Sequence, residues 1–153
     1  HLTQDAVLQV RLSDAPRFYT RWASGETVTT EKVVGWADTA VAPTNEVAVV
    51  VDTAVGINYY TRGVRAGVVV NIDSGIAVDT NLHYIDLSST TAGVVSVTIN
   101  AVAVTGLTAA QAPLPGTMMQ CVVKTTPLGA PNGTLTIDVF KSVQARYLGA
   151  API

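Results

Sequence analysis

The sequence predicts an all-β chain, a β-sandwich or jelly-roll-like single domain, and three observations carry that prediction. Val95, Val97 and Ile99 alternate with Ser96 and Thr98, and Leu135, Ile137 and Val139 alternate with Thr136 and Asp138, which gives two separate period-2 faces. The 153 residues include 25 Val and 20 Thr, types that suit a pleated and half-buried surface. Eight or more short segments of this kind follow at regular spacing between turn signals, with no convincing long helical pattern among them.

Taken in order, Thr3 to Leu12 places Ala6, Leu8, Val10 and Leu12 on one face, so residues 1–12 read as a first strand or as an extended N-terminal arm, and residues 13–153 as the sandwich domain. Phe18 to Trp22 is a dense aromatic stretch, and Ser24-Gly25 is a turn signal. Thr27 to Trp36 is β-prone but polar in its middle. Asp38 to Asn45, with Pro43, is a loop. Glu46 to Asp52 is an apolar run of strand length, the pattern of a strand buried on both faces. Val68 to Asp73 and Ile76 to Val78 read as two strand pieces about a hairpin turn at Ser74-Gly75. His83 to Leu87 is a further strand.

Gly93 to Gly106 reads as the organising strand, with Val95, Val97, Ile99, Ala101 and Ala103 on its dry face. Leu107 to Pro115 has the Ala/Pro-rich character of a connection between sheets. Thr117 to Thr125 is a strand centred on Cys121, Asn132-Gly133 is a hairpin turn, and Thr134 to Phe140 alternates again. Lys141 to Leu148 reads as a continuation of that strand through a bulge, with two turns of helix on Phe140, Val143 and Tyr147 as the alternative.

Charged residues make up 13% of the chain, against about 25% in typical soluble domains. Thr, Ser, Ala, Asn and Gly therefore cover much of the surface. Only Lys32, Lys124 and Lys141 are available as lysine guards for sheet edges, so the expectation is that edges are covered by the chain or meet another copy. A net charge of −2 argues against a strong polyanion binder, and no direct contact with nucleic acid is expected. No apolar run approaches the length of a membrane span, so no membrane partner is expected either. The single cysteine, Cys121, excludes an internal disulfide framework and reads as a buried thiol.

Catalytic, cofactor-binding and metal-binding residues are expected to be absent, because no nucleophile, base and orienting group fall together. Asp38, Asp52, Asp73, Asp79, Asp86 and Asp138 each lie near a strand end and read as turn or capping residues rather than as a glycosidase pair. Phe18, Tyr19, Trp22, Trp36, Tyr59 and Tyr60 form either core and interface plugs or a stacking platform for sugar rings. Arg11, Arg17 and Arg21 cluster in sequence, as do Arg62 and Arg65, and both groups suit ion pairs between subunits. Leu8, Val10, Leu12, Arg11, Arg17, Arg21, Trp22, Tyr59 and Tyr60 are the candidate interface residues.

Two resemblances follow from particular residues. His1 offers an amine and an imidazole, and with His83 it resembles the copper brace of lytic polysaccharide monooxygenases. A trimmed terminus explains His1 equally, and His83 reads as a strand residue with its ring at the surface or bonded to a neighbour. At the level of class, the Ala/Val/Thr/Gly-rich composition and the stretches VVSVTINAVAV and GTLTIDVF resemble the head decoration (cement) and fibre proteins of tailed bacteriophages. That resemblance implies a non-enzymatic virion subunit, a homo-oligomer with a trimer favoured, seated on a capsid or tail lattice protein. Two alternatives stand beside it. One is an extracellular pilus or cell-surface filament subunit assembled by strand addition; the other is a carbohydrate-binding sandwich module.

Overall fold

The run Glu46–Asp52 is the strand on which the rest is layered, and the reason is its composition: five of its seven residues are apolar and β-prone or small, and all but Asp52 are buried. The computed structural model describes residues 9–24, 30–127 and 135–143, the last stretch as strand backbone. In chain order the strands are β1 (Gln9–Val10), β2 (Arg17–Ser24), β3 (Thr30–Ala37), β4 (Glu46–Asp52), β5 (Asn58–Arg65), β6 (Val68–Ala77), β7 (Leu82–Ser89), β8 (Val95–Ile99), β9 (Val102–Leu107), β10 (Met119–Pro127) and β11 (Leu135–Val143). They form a six-stranded sheet, ordered β1-β10-β3-β4-β5-β6, and a five-stranded sheet, ordered β11-β2-β7-β8-β9. Every pairing is antiparallel, and the two sheets pack as a sandwich.

One apolar core lies between the sheets. Val47, Val49 and Val51 of β4 face Ile85 and Leu87 of β7 and Val95, Val97 and Ile99 of β8 within a single buried cluster. Each such side chain contributes about 1.5–3 kcal/mol by leaving water. The aromatics of β2 and β3 belong to the same core: Phe18 meets Trp36 edge to face at 6.2 Å, and Trp22 lies against Tyr59 at 5.8 Å. The core positions expected at Val95, Val97 and Ile99 are borne out. Those expected at Leu135, Ile137 and Val139 lie on a strand as read, but their side chains fall outside the described residues, as do the Asn132-Gly133 turn and residues 144–148.

Glu46–Asp52 is buried on both faces, as its unbroken apolar run predicts. Its second face holds Ala48 and Val50, which cluster with Val33 of β3 on the outer side of the six-stranded sheet. The register sets Tyr60 opposite Val50 and Lys124 opposite Val33, so side chains of the neighbouring strands flank this small cluster.

The organising strand is a hairpin. Gly93 to Gly106 does not run straight through: Ile99 pairs with Val102 across a two-residue turn at Asn100 and Ala101, both with positive φ (52° and 63°). Two left-handed residues in succession make the tight turn whose twist matches the flanking strands. Ala101 and Ala103 are therefore exposed, not on the dry face. A second departure comes at Ser74-Gly75, which is no hairpin turn. β6 passes through it with a register shift against β5, and Asp73 Oδ1 and Ser74 Oγ accept the Gly75 and Ile76 amide hydrogens at 2.7 and 3.1 Å. Local side-chain acceptors let one strand absorb the irregularity. The hairpin on this side is instead β5–β6, closed by Ala66 and Gly67 at positive φ.

Of the predicted first strand, Gln9 and Val10 pair with β10, and a short 3-10 turn follows at Leu12–Asp14. The connection after Leu107 crosses from the five-stranded to the six-stranded sheet, as its composition suggests.

Candidate functional site

On the outer face of the six-stranded sheet, cross-strand register collects polar residues that are far apart in sequence. Arg62 of β5 stands between Ala48 of β4 and Asn71 of β6, while Glu31 of β3 stands opposite Asp52 of β4. Because opposed residues share a face, Glu31, Asp52, Arg62 and Asn71 converge on one side of the sheet. Lys124 comes in from β10. These residues line a groove of about 400 Å3, whose rim is completed by Ala42 and Pro43 of the loop before β4 and by Val64 and Val69.

The Arg62 guanidinium is the hub. Nη1 donates to Glu31 Oε1 at 2.6 Å, Nη2 to Asp52 Oδ2 at 2.7 Å, and Nε to Asn71 Oδ1 at 3.0 Å. Lys124 Nζ reaches the other oxygen of Glu31 at 3.1 Å. Burial pushes the Glu31 carboxyl up, but the hydrogen bonds from Arg62 and Lys124 outweigh it and hold the group below the usual range. Glu46 differs. It is 4% exposed, its Oε1 has no hydrogen-bond partner among the described residues, and Arg62 Nη1 lies 3.9 Å away. Burial raises its carboxyl to about 7; Arg62 pulls it down, and the charge of Glu31 pushes it further up.

A second polar cluster lies on β7 and the β8–β9 turn. His83 Nε2 is 2.6 Å from Asp79 Oδ1, and His83 Nδ1 is 2.9 Å from Asn100 Nδ2. Asn100 Oδ1 accepts the Tyr84 amide hydrogen at 2.9 Å, which fixes the amide orientation, so Nδ2 donates to Nδ1 and the Nε2 hydrogen points at Asp79. The bond from His83 holds the Asp79 carboxyl below its usual range. His83 is thus bonded to neighbours and nearly buried, and His1, the other half of the copper-brace idea, lies outside the described residues. Among the described residues no three His, Cys, Asp or Glu side chains are grouped to hold a metal ion.

Asp38, Asp52 and Asp79 behave as expected of turn residues, whereas Asp86 lies inside β7 and pairs with Arg17 instead. Asp52 Oδ1 accepts from the Ala54 amide, Asp79 Oδ1 from the Asn81 amide, and Asp38 from the Thr44 amide and from the side chains of Thr44 and Asn45. Burial raises the Asp38 carboxyl, and those bonds more than reverse it. Asp52 does both jobs, since its other oxygen holds Arg62. Asp138 lies on β11, where side chains are outside the described residues.

The candidate interface residues separate into three groups. Val10, Leu12, Trp22 and Tyr59 are fully buried inside the chain's own core and Tyr60 is 8% exposed, so these five offer a second copy almost no surface. The arrangement follows from β1 pairing with β10, which turns Val10 and Leu12 inward. Arg11 and Arg17 are exposed and Arg21 is half-buried: Arg11 Nε lies against Met118 Sδ, Arg17 forms a forked pair with Asp86, and Arg21 sits 5.0 Å over the Tyr84 ring. Leu8 lies outside the described residues.

As a sugar platform, the sequence-predicted aromatics other than Tyr19 are corrected. Phe18, Trp22, Trp36 and Tyr59 are core residues with no exposure, and Trp22 Nε1 donates to the Tyr59 hydroxyl at 3.2 Å. Burial raises the Tyr59 hydroxyl to about 12. Sequence reasoning missed Glu31, Glu46 and Asn71 as partners of Arg62, and Lys124 as the second partner of Glu31. The one signal for them is Glu46, a carboxylate that opens an otherwise apolar run.

No protein-family model matches this chain, and no curated protein does. Solved structures do match in fold. Sheep galectin-11, solved in complex with glycerol, superposes with a TM-score of 0.59 at 10% identity, over 94% of this chain and all of that one. A protein of unknown function from Shewanella oneidensis reaches 0.63 at 14% identity, over 87% of this chain and 60% of that one. An alginate lyase from Pseudomonas aeruginosa reaches 0.53 at 12% identity, over 88% and 67%. The likeness is one of fold: a galectin-like β-sandwich.

Proposed function

We propose that this chain is a carbohydrate-binding sandwich that holds a neutral glycan in the Arg62 groove without transforming it. The observation that carries the reading is Glu46, which lines the groove and whose buried Oε1 has no hydrogen-bond partner among the described residues, only Arg62 at 3.9 Å. Leaving such an acceptor unmade costs about 1–3 kcal/mol, which a ligand hydroxyl would recover.

Charge selects the ligand class. Glu31, Glu46 and Asp52 face two cations, Arg62 and Lys124, both of which already hold carboxylates. An anionic ligand would meet surplus carboxylate, and a cationic one would meet the guanidinium. A neutral polyol can donate to Glu46 and accept from Lys124 or Asn71, and Val64, Val69 and Pro43 offer apolar contact to ring C–H groups. A galectin and an alginate lyase among the fold neighbours support a carbohydrate ligand. Glu31 and Asp52 share one guanidinium, which favours holding a ligand over acid–base work by a separated carboxylate pair.

The test is a titration of the protein with cellobiose, maltose and lactose, read by amide chemical shifts. Shifts centred on Glu31, Glu46, Arg62 and Asn71, lost in Glu46→Ala and Asn71→Ala, are expected. Shifts absent from this face with all three sugars would remove the reading.

A second reading, a subunit of a larger assembly such as a virion surface, is favoured by edge strand β6. Val68 and Val69 there are 67% and 54% exposed, and a strand edge with such residues invites pairing with another chain. Light scattering at rising concentration tests it; a strict monomer would count against it.

A further inference from the structure

The outer face of the five-stranded sheet has an unusual composition for a surface that meets water. Around Ser88 and Ser96 it is small and polar, yet toward the start of β7 it carries Tyr19, Tyr84 and Leu82. Tyr84 is 44% exposed and Leu82 37%. The two tyrosine rings lie 6.4 Å apart at 43°, forming a shallow angled wall. With Asp86, Thr98 and Asn100 they line a depression of about 570 Å3, within the range of small-ligand sites.

The polar members are held in place. Asn100 is fixed by the Tyr84 amide on one side and His83 on the other, at the tight turn joining β8 and β9. Asp86 is gripped by the fork of Arg17, and Arg21 lies over the Tyr84 ring. Side chains positioned this way lose little freedom when a ligand arrives.

We propose that this depression is a second sugar-binding site, taking a pyranose ring with its C–H face against Tyr19 and Tyr84 and its hydroxyls toward Asp86, Thr98 and Asn100. The inference does not rest on the Arg62 groove, which lies on the other sheet. The two sites face opposite ways, so one chain with both would bridge two glycan strands, and multivalent engagement would exceed either affinity alone.

Cellobiose, maltose and lactose are again the probes, with amide shifts now followed at Tyr19, Leu82, Tyr84, Thr98 and Asn100. The expectation is a saturable set of shifts there, weakened about tenfold or more in Tyr84→Ala and kept in Tyr84→Phe. Tyr84 is exposed, so its removal leaves the fold intact, and unchanged shifts elsewhere in the spectrum would confirm that. Shifts that survive Tyr84→Ala, or none on this face with any of the three sugars, overturn the site. Shifts here with none at Arg62 and Asn71 would leave this site standing and remove the other; the reverse would do the opposite.

Discussion

Arg62 and Glu46 stand diagonally across the β4–β5 pair, 3.9 Å apart, close enough for charge attraction and too far for a hydrogen bond. Arg62 meanwhile makes short bonds to Glu31 and Asp52. The site thus has one carboxylate left over.

That leftover sets a pH dependence. The Glu46 carboxyl titrates at about 7 in the folded chain, above its ordinary 4.5, because it is buried. Its contribution is fully present below pH 4.5 and is lost as pH rises through 7, a span of about 3 kcal/mol. Glu31, held below the usual range, works the other way: its contribution is lost only as pH falls beneath 4.5. Glu46→Gln should therefore flatten the loss of stability between pH 4.5 and 7 and make the variant the more stable one at pH 8. Denaturant midpoints across that range check it; an unchanged slope would mean that Glu46 does not titrate there.

The tight turn at Asn100 and Ala101 contains a strained alanine. A left-handed conformation costs an L-residue with a Cβ about 1–2 kcal/mol and costs glycine nothing of the kind. Ala101→Gly should stabilise the chain by about 0.5–1 kcal/mol, seen as a higher melting temperature. A fall would show that the turn is built differently.

At Gly35, by contrast, there is no room. A Cβ there would run into the Val47 carbonyl oxygen of the paired strand. Gly35→Ala should cost about 3 kcal/mol through displacement of β3 from β4, measured by urea unfolding. A near-neutral result would argue against this strand pairing.

Residues Val10 and Leu12 test whether the N-terminal segment serves this chain's core or another copy. Both are wholly buried here. Leu12→Ala should cost about 2–5 kcal/mol, in a protein whose oligomeric state, by light scattering, is unchanged. Loss of assembly with stability intact would restore the arm.

How legible this was depended on the range of the cause. Glu46–Asp52 could be bounded to the residue because seven consecutive positions carry the pattern, and Val95, Val97 and Ile99 because alternation is local. Asn100 and Ala101 hid the hairpin because Ala is no turn signal: its positive φ is imposed by the pairing of Ile99 with Val102. The Arg62 site was illegible for a stronger reason. Glu31, Asp52, Arg62 and Asn71 meet only through the register of four strands, and no spacing in the chain encodes that. Tyr84 lies on the strand read at His83 to Leu87, but its partnership with Tyr19 needs β2 beside β7.

The most direct measurement is a glycan array that displays neutral and acidic oligosaccharides, probed with the intact chain and with Glu46→Ala. Retention is expected on neutral glycans and little on uronic-acid or sulfated ones, with the neutral signal weakened in Glu46→Ala and lost when Tyr84→Ala is added. Binding confined to acidic glycans, or neutral binding untouched by Glu46→Ala, would contradict it.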